Sequence, residues 1–124
     1  MSIFDNIIKV TNNDIRYKGV DYLPREKFQT LTEQMFYILL CLKEECCGMD
    51  IMSRVEEMTN SRVRVGPGTL YNLLEQFQSA GFIKETKVVG RKRSYILQKK
   101  GEEILQEEYQ RLKTLTVDFE SKFM

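Results

Sequence analysis

The stretch Arg62–Leu74, which reads RVRVGPGTLYNLL, decides the fold of this chain of 124 residues. Its first residues alternate basic and apolar side chains, which is the period of a strand. Gly66 and Pro67 make a corner, and proline suits the first position of a helix, where its missing N–H removes nothing useful. Apolar residues then recur along one helix face: Leu70, Leu73, Leu74 and Phe77. The stretch therefore predicts a strand, a corner and an amphipathic helix that ends at Gly81.

A second basic cluster, Gly90-Arg91-Lys92-Arg93-Ser94-Tyr95, follows the predicted helix. The segments on either side, Ile83–Val89 and Arg93–Leu97, have the composition of two strands that turn at Gly90. The cluster is therefore predicted to form the tip of a cationic hairpin.

Charge is distributed unevenly although the formal net charge is only +1. Residues 62–100 contain nine Lys or Arg against two Glu, whereas residues 101–124 contain three against six acidic residues. The basic middle and the acidic end cancel in the total and leave one strongly positive region. A solvated charged face is the alternative interpretation of this pattern.

Two helices are predicted before the Arg62–Leu74 stretch. Thr32 is placed as the N-cap of the first, which continues through Leu42 and is apolar on most faces. Gly48 precedes the second, whose inward stripe is Ile51, Val55 and Met58. Val63 and Val65 are candidates for a short third strand. The order helix, helix, strand, helix, hairpin predicts a mainly α (α+β) fold, a winged helix-turn-helix.

The chain is predicted to end in one long helix over residues 99–123, about 36 Å in length. Spacings of four and three alternate along its seam, which is the pattern of a coiled coil: Leu105, Tyr109, Leu112, Thr116, Phe119 and Phe123. One small domain is too short to cover such a stripe, so the pattern predicts a homodimer.

The first thirty residues are predicted to be a partly helical N-terminal extension. Ile3–Val10 has helical spacing with Ser2 available as an N-cap, and Pro24 is placed at the start of a helical turn through Phe28. The predicted organisation is an extension over residues 1–30, a winged helix-turn-helix domain over 31–98 and a dimerisation helix over 99–124.

Composition excludes several classes of protein. Histidine is absent, which removes His-based acid–base catalysis and His-containing zinc sites, and no Gly-rich phosphate loop occurs. We therefore expect no enzyme activity, no metal and no cofactor. No apolar run is long enough to span a membrane and no secretory pattern is present, so a cytoplasmic location is expected.

The predicted third helix and hairpin carry the groups that nucleic-acid binding needs. Gly68 lets the backbone come close to a phosphate, and Tyr71 can donate its hydroxyl to one. Asn72 can bond adenine in the major groove, while Thr69 can reach a base or a thymine methyl. The cations predicted to contact phosphates are Arg62, Arg64, Arg91, Lys92 and Arg93. A proline-capped helix with an ordinary polar face is the alternative.

Three segments of the sequence resemble the PadR family of bacterial transcriptional regulators. They are LTEQMFYIL at 31–39, CGMDI at 47–51 and VGPGTLY at 65–71. The resemblance covers about residues 31–112. A dimer would place two recognition helices on a pseudo-palindromic double-stranded operator. The resemblance implies a winged helix-turn-helix domain, a C-terminal dimerisation helix, and sequence-specific operator binding, usually as a repressor. It also implies a small-molecule effector near the dimer interface, and it places Thr69, Tyr71 and Asn72 on the recognition helix and Arg91–Arg93 on the wing.

The sequence departs from the family pattern in two places. The Leu-Thr usual before the last helix is Leu97-Gln98 here, so the expected threonine cap is missing. No tryptophan is present, which disfavours the stacking of flat aromatic effectors, although Tyr109, Phe119 and Phe4 can still line a cavity.

Two other functions stay open at the level of the sequence. One is a winged-helix protein-interaction module that does not read DNA. The other is a thiol-sensing regulator that uses the adjacent Cys46 and Cys47, with Cys41 in a helix that is predicted to be buried. The odd number of cysteines argues against a disulfide framework.

Overall fold

The structure is a computed structural model, and it describes residues 30–124. The elements follow the order α1 (Glu33–Cys41), β1 (Cys46–Cys47), α2 (Gly48–Met58), α3 (Pro67–Ser79), β2 (Ile83–Val89), β3 (Lys92–Leu97) and α4 (Lys99–Phe123). Leu31–Glu102 form one compact unit, and Glu103–Met124 belong to a second. The helical segments predicted at Ile3–Val10 and Pro24–Phe28 lie outside the described residues.

Helix α1 begins where the sequence predicts. The Thr32 hydroxyl accepts a hydrogen bond from the Met35 N–H at 3.1 Å, which satisfies one of the free amides of the first turn. Glu33 adds a negative charge beside the positive end of the helix dipole. Ile38, Leu39 and Leu42 are fully buried, so this helix supplies the centre of the core.

The third strand of the sheet is β1, and the prediction that Val63 and Val65 form it is wrong. Both valines are buried and both flanking arginines are exposed, so the alternation is real. Their segment has no strand partner, because the Val63 N–H bonds the Thr59 hydroxyl at 3.1 Å instead. Cys46 and Cys47 pair with Tyr95 and Ser94 of β3, which gives the sheet order β1-β3-β2.

Helices α2 and α3 close the core over α1. Ile51 and Val55 of α2 are buried, whereas Met58, which was predicted on the same stripe, is exposed at the end of the helix. In α3 the predicted inward stripe is buried in full: Leu70, Leu73, Leu74 and Phe77. Gly66 is the N-cap and Pro67 occupies the first turn, as the corner predicts.

Gly81 terminates α3 in the way its position predicts. Its φ of +80° lies in the left-handed region, where glycine has no Cβ penalty. The Phe82 N–H bonds the Phe77 carbonyl at 2.9 Å and the Gly81 N–H bonds the Gln78 carbonyl at 3.1 Å. This pair of bonds is a Schellman motif, and it turns the chain directly into β2.

Strands β2 and β3 form the predicted antiparallel hairpin, which we call the wing. Gly90 and Arg91 connect them, and Gly90 has a φ of +62°, as a two-residue hairpin turn with glycine in the first central position requires. The pairing shifts between Glu85 and Lys87, so Thr86 is a bulge in β2.

Helix α4 begins against the start of β2. The Gln98 N–H bonds the Phe82 carbonyl at 2.8 Å, and the Gln98 carbonyl accepts the Glu102 N–H at 2.9 Å. Helix formation therefore starts without the threonine cap that the family pattern would supply. Gly101 faces the same Phe82 carbonyl so closely that a Cβ would collide with it.

Candidate nucleic-acid interface

The outward face of α3 is exposed, polar and nearly uncharged. Gly68, Thr69 and Asn72 are all exposed. No Lys or Arg occurs in the helix, and Glu75 is its one acidic residue. No atom lies within 4 Å of the point where a Cβ on Gly68 would stand, so the backbone there is open to an approaching molecule. The face therefore offers hydrogen-bonding groups without a compensating salt-bridge network.

Tyr71 lies where three elements of the domain meet. It belongs to α3, and its hydroxyl oxygen would be 2.7 Å from a Cβ placed on Gly48, the first residue of α2. Its hydroxyl also contributes to raising the pKa of Tyr95 in β3, after burial and the Glu85 charge. The Tyr71 side chain is still 46% exposed. Glycine at position 48 thus makes room for a tyrosine that remains accessible from solvent.

Two of the predicted phosphate-contacting arginines form intramolecular ion pairs at the protein surface. Arg62 donates to the Glu33 carboxylate at 2.5 Å and to the Tyr37 hydroxyl at 3.1 Å, and the first of these bonds raises the pKa of its guanidinium. Arg64 lies 3.7 Å from a Glu56 carboxylate oxygen. Each of these two positive charges therefore has an exposed carboxylate partner, from α1 for Arg62 and from α2 for Arg64.

The wing contains both paired and unpaired cations. Arg93 bonds Glu85 at 3.0 Å, and Lys87 lies 3.7 Å from Glu45. Arg91 and Lys92 at the tip are exposed, and neither has an ion-pair partner among residues 30–124. Two of the unpaired cations thus lie at the turn, while Lys84, at the base of the hairpin, is also exposed and has no ion-pair partner within that range.

The predicted seam of α4 is exposed along most of its length. Leu105 is buried within the single chain, but the next seam residues are exposed, up to 55% for Phe119 and 79% for Phe123. Those two rings stack with centroids 4.7 Å apart. A helix end with this much exposed apolar surface is typical of an interaction face.

Cys41 and Cys46 have the properties of structural thiols rather than reactive ones. Burial raises the pKa of Cys41, and it raises the pKa of Cys46 to about 11. The thiolate is the reactive form, so a raised pKa suppresses oxidation and metal binding. Within residues 30–124 no group of three or more Cys, Asp or Glu is arranged to hold a metal ion. No helix in that range is long and apolar enough to cross a membrane.

Sequence reasoning missed the intramolecular partners of the site. The Arg62–Glu33 pair spans 29 residues, and Gly48 meets Tyr71 from another helix. A count of charges along the sequence could not show that Glu33 pairs with Arg62 and Glu56 with Arg64. Gly48 belongs to the CGMDI segment that resembles the family, and this is the local indication of its contact with Tyr71.

A helix pair followed by an exposed third helix and a basic hairpin defines a winged helix-turn-helix protein. The family model described as "Transcriptional regulator PadR-like family" matches residues 38–107. The chain belongs to this family, and it is therefore a transcriptional regulator and not an enzyme.

Solved structures confirm the fold. A PadR family transcriptional regulator from Eggerthella lenta is 18% identical with a TM-score of 0.62, over 90% of this chain and 95% of its own. A transcriptional regulator from Clostridium thermocellum is 18% identical with a TM-score of 0.61, over 74% and 92%. ZitR from Lactococcus lactis, a variant in complex with DNA, is 18% identical with a TM-score of 0.52, over 100% and 86%. No curated protein matches the chain by sequence.

Proposed function

We propose that this transcriptional regulator acts as a homodimeric repressor that binds a pseudo-palindromic double-stranded operator. The observation that carries the proposal is the combination, in one compact unit, of an open uncharged face on α3 and two unpaired cations at the wing tip. Phosphate contacts position a protein on DNA and base contacts specify the sequence, so the two surfaces supply complementary functions.

Each surface has a defined role in this proposal. Thr69 and Asn72 read base edges in the major groove. Tyr71 donates its hydroxyl to a phosphate, and Gly68, which has no side chain, lets the start of α3 come close to the DNA backbone. Arg91, Lys92 and Arg93 lie on the adjacent backbone or in the minor groove. Arg62 and Arg64 lie just before α3, where each is paired with a carboxylate in the free protein, so they add little net charge there. The ZitR structure, which contains DNA, shows a similar fold engaged with such a partner.

The α4 seam supports the homodimer. Its exposed residues are Tyr109, Leu112, Thr116, Phe119 and Phe123, with Leu105 at the buried end. A second copy would cover the apolar members and place two recognition helices about 34 Å apart, one turn of the duplex. An effector would bind at this dimer interface and release the operator, and the regulator would act on DNA in the cytoplasm.

Gly68 offers the sharpest test, because the position is open in the free protein. We expect Gly68→Ala to leave the free energy of unfolding unchanged or slightly higher, since alanine favours helix. The new methyl should weaken DNA binding about tenfold or more, because it occupies space that a phosphate needs.

The measurement is fluorescence anisotropy with labelled duplexes that tile the region upstream of the protein's own reading frame. Ser79→Ala, at the exposed far end of α3, is the matched control and should bind like the wild type. If the wild-type protein binds no duplex, the protein-interaction module is the better reading. If Gly68→Ala binds normally, α3 does not approach DNA through its N-terminus.

A further inference from the structure

The chain between α2 and α3, residues 59–66, sets the position from which the recognition helix begins. We call it the connector. Its inner side is fixed by Thr59, a buried residue whose hydroxyl bonds the Val55 carbonyl at 2.8 Å and accepts the Val63 N–H at 3.1 Å. Asn60 and Ser61 adopt φ values of 51° and 63°, in the left-handed region that few side chains favour. The turn is therefore held in a conformation that needs support.

The outer side of the connector is fixed by polar contacts to α1 and α2. Both terminal nitrogens of Arg62 are occupied, one by Glu33 at 2.5 Å and the other by Tyr37 at 3.1 Å. One turn of α1 also supplies Gln34, whose side-chain amide donates to the Arg64 carbonyl at 2.9 Å. These contacts hold the connector at Arg62 and Arg64, where the chain belongs to neither a helix nor a strand.

We infer that Arg62 is a positioning residue, which together with Glu33 and Tyr37 holds the connector so that α3 begins in the orientation that binds DNA. The inference rests on the proposed DNA-binding function and changes one role within it. An arginine paired with Glu33 adds little net charge to the surface, and each of its two terminal nitrogens already donates one hydrogen bond within the protein. Its contribution is preorganisation, which lowers the ordering cost at the moment of binding.

The direction in which Glu33→Gln changes the affinity for DNA distinguishes a positioning arginine from one that contacts phosphate. Glu33→Gln removes a negative charge and leaves Arg62 free. If Arg62 contacts phosphate, this variant should bind DNA as tightly as the wild type or more tightly. A positioning arginine loses its anchor, and affinity should fall by about twofold to fivefold, the range typical of an exposed ion pair. Glu57→Gln is the control, because it removes the same charge from an exposed residue of α2 that forms no ion pair among residues 30–124.

Two more variants keep the test decisive if Glu33→Gln lowers the stability of α1. Tyr37→Phe changes no charge and should weaken binding in the same direction. Arg62→Ala should weaken binding while the slope of log K against log salt stays at the wild-type value, whereas loss of a phosphate contact would reduce that slope by about 0.9 per protomer.

The experiment uses the full chain and a labelled duplex that the wild type binds, and hydrogen exchange of the connector amides reports its order. We expect faster exchange at Val63, whose N–H bonds the Thr59 hydroxyl, in Glu33→Gln but not in Glu57→Gln. Unchanged or tighter binding by Glu33→Gln, or a reduced salt slope in Arg62→Ala, overturns the positioning role. Absence of DNA binding by the wild type would instead refute the proposed function itself.

Discussion

Removal of the two free cations at the wing tip should reduce the salt dependence of DNA binding by a calculable amount. Arg91 and Lys92 are exposed and unpaired within the described residues, whereas Arg93 and Lys87 already have carboxylate partners. Each phosphate contact contributes about 0.9 to the slope of log K against log salt, because it releases condensed counterions. The variant Arg91→Ala/Lys92→Ala should therefore lower the slope by about 1.8 per chain and about 3.6 per dimer.

The smaller slope also means that the double variant loses less affinity as salt rises. Between 50 and 200 mM salt the proposed wild-type dimer should lose about 150-fold more affinity than the double variant, and a single bound chain about 12-fold more. The assay is fluorescence anisotropy with a labelled duplex of about 30 base pairs, which accommodates two half-sites one helical turn apart.

A matched double variant removes the same charge elsewhere in the domain. Lys84 and Lys99 lie at the base of the hairpin and the start of α4, with Lys84 about 20 Å along the strand from Gly90. Lys84→Ala/Lys99→Ala should change the slope little. A slope that stays at the wild-type value in the tip variant, or that falls equally in the control, would refute the assignment of the tip to the DNA backbone.

Three other measurements test the structure. Gly101→Ala should lower the free energy of unfolding by about 1–3 kcal/mol, because the new Cβ meets the Phe82 backbone carbonyl, which cannot rotate away as a side chain would. An unchanged midpoint of unfolding in urea would contradict that packing. Phe119→Asp should convert a dimer to monomers in sedimentation experiments, while Val117→Asp, exposed but off the seam, should not. Cys46 should alkylate roughly a hundredfold more slowly below pH 9 than an ordinary thiol of pKa 9.0, because its pKa is about 11 in the folded protein. The contribution of the neutral Cys46 thiol to the free energy of unfolding should be complete below pH 9 and be lost as the pH rises to about 11. Rapid alkylation of Cys46 at pH 8 would contradict its burial.

The elements that the sequence predicts correctly are those defined by local chemistry. Thr32 caps α1, Pro67 and Gly66 open α3, and Gly81 closes it, because caps and turns depend on residues a few positions apart. The wing is equally local, since Gly90 supplies the positive φ that its turn requires. The apolar stripe of α3 needs only its helical period to be recognised.

The features that the sequence could not show depend on pairing between distant residues. A two-residue strand such as Cys46–Cys47 has no readable period, and its identity as a strand comes from its partner β3. Val63 and Val65 have a strand-like alternation but no partner. The binding roles of Thr69, Asn72 and the wing remain predictions, because they depend on a molecule outside the chain.

The attachment of the sheet gives the wing a length that can vary independently of the fold. Strand β1 pairs with β3 at Ser94 and Tyr95. The tip of the hairpin, from Val88 to Arg93, is therefore held only by the pairing of β2 with β3. Residue pairs can therefore be inserted or deleted between Val88 and Arg93 without disturbing a core contact of the domain. With the wing on DNA as proposed, this change alone would alter the length of duplex that the tip reaches, with the same helices beneath it.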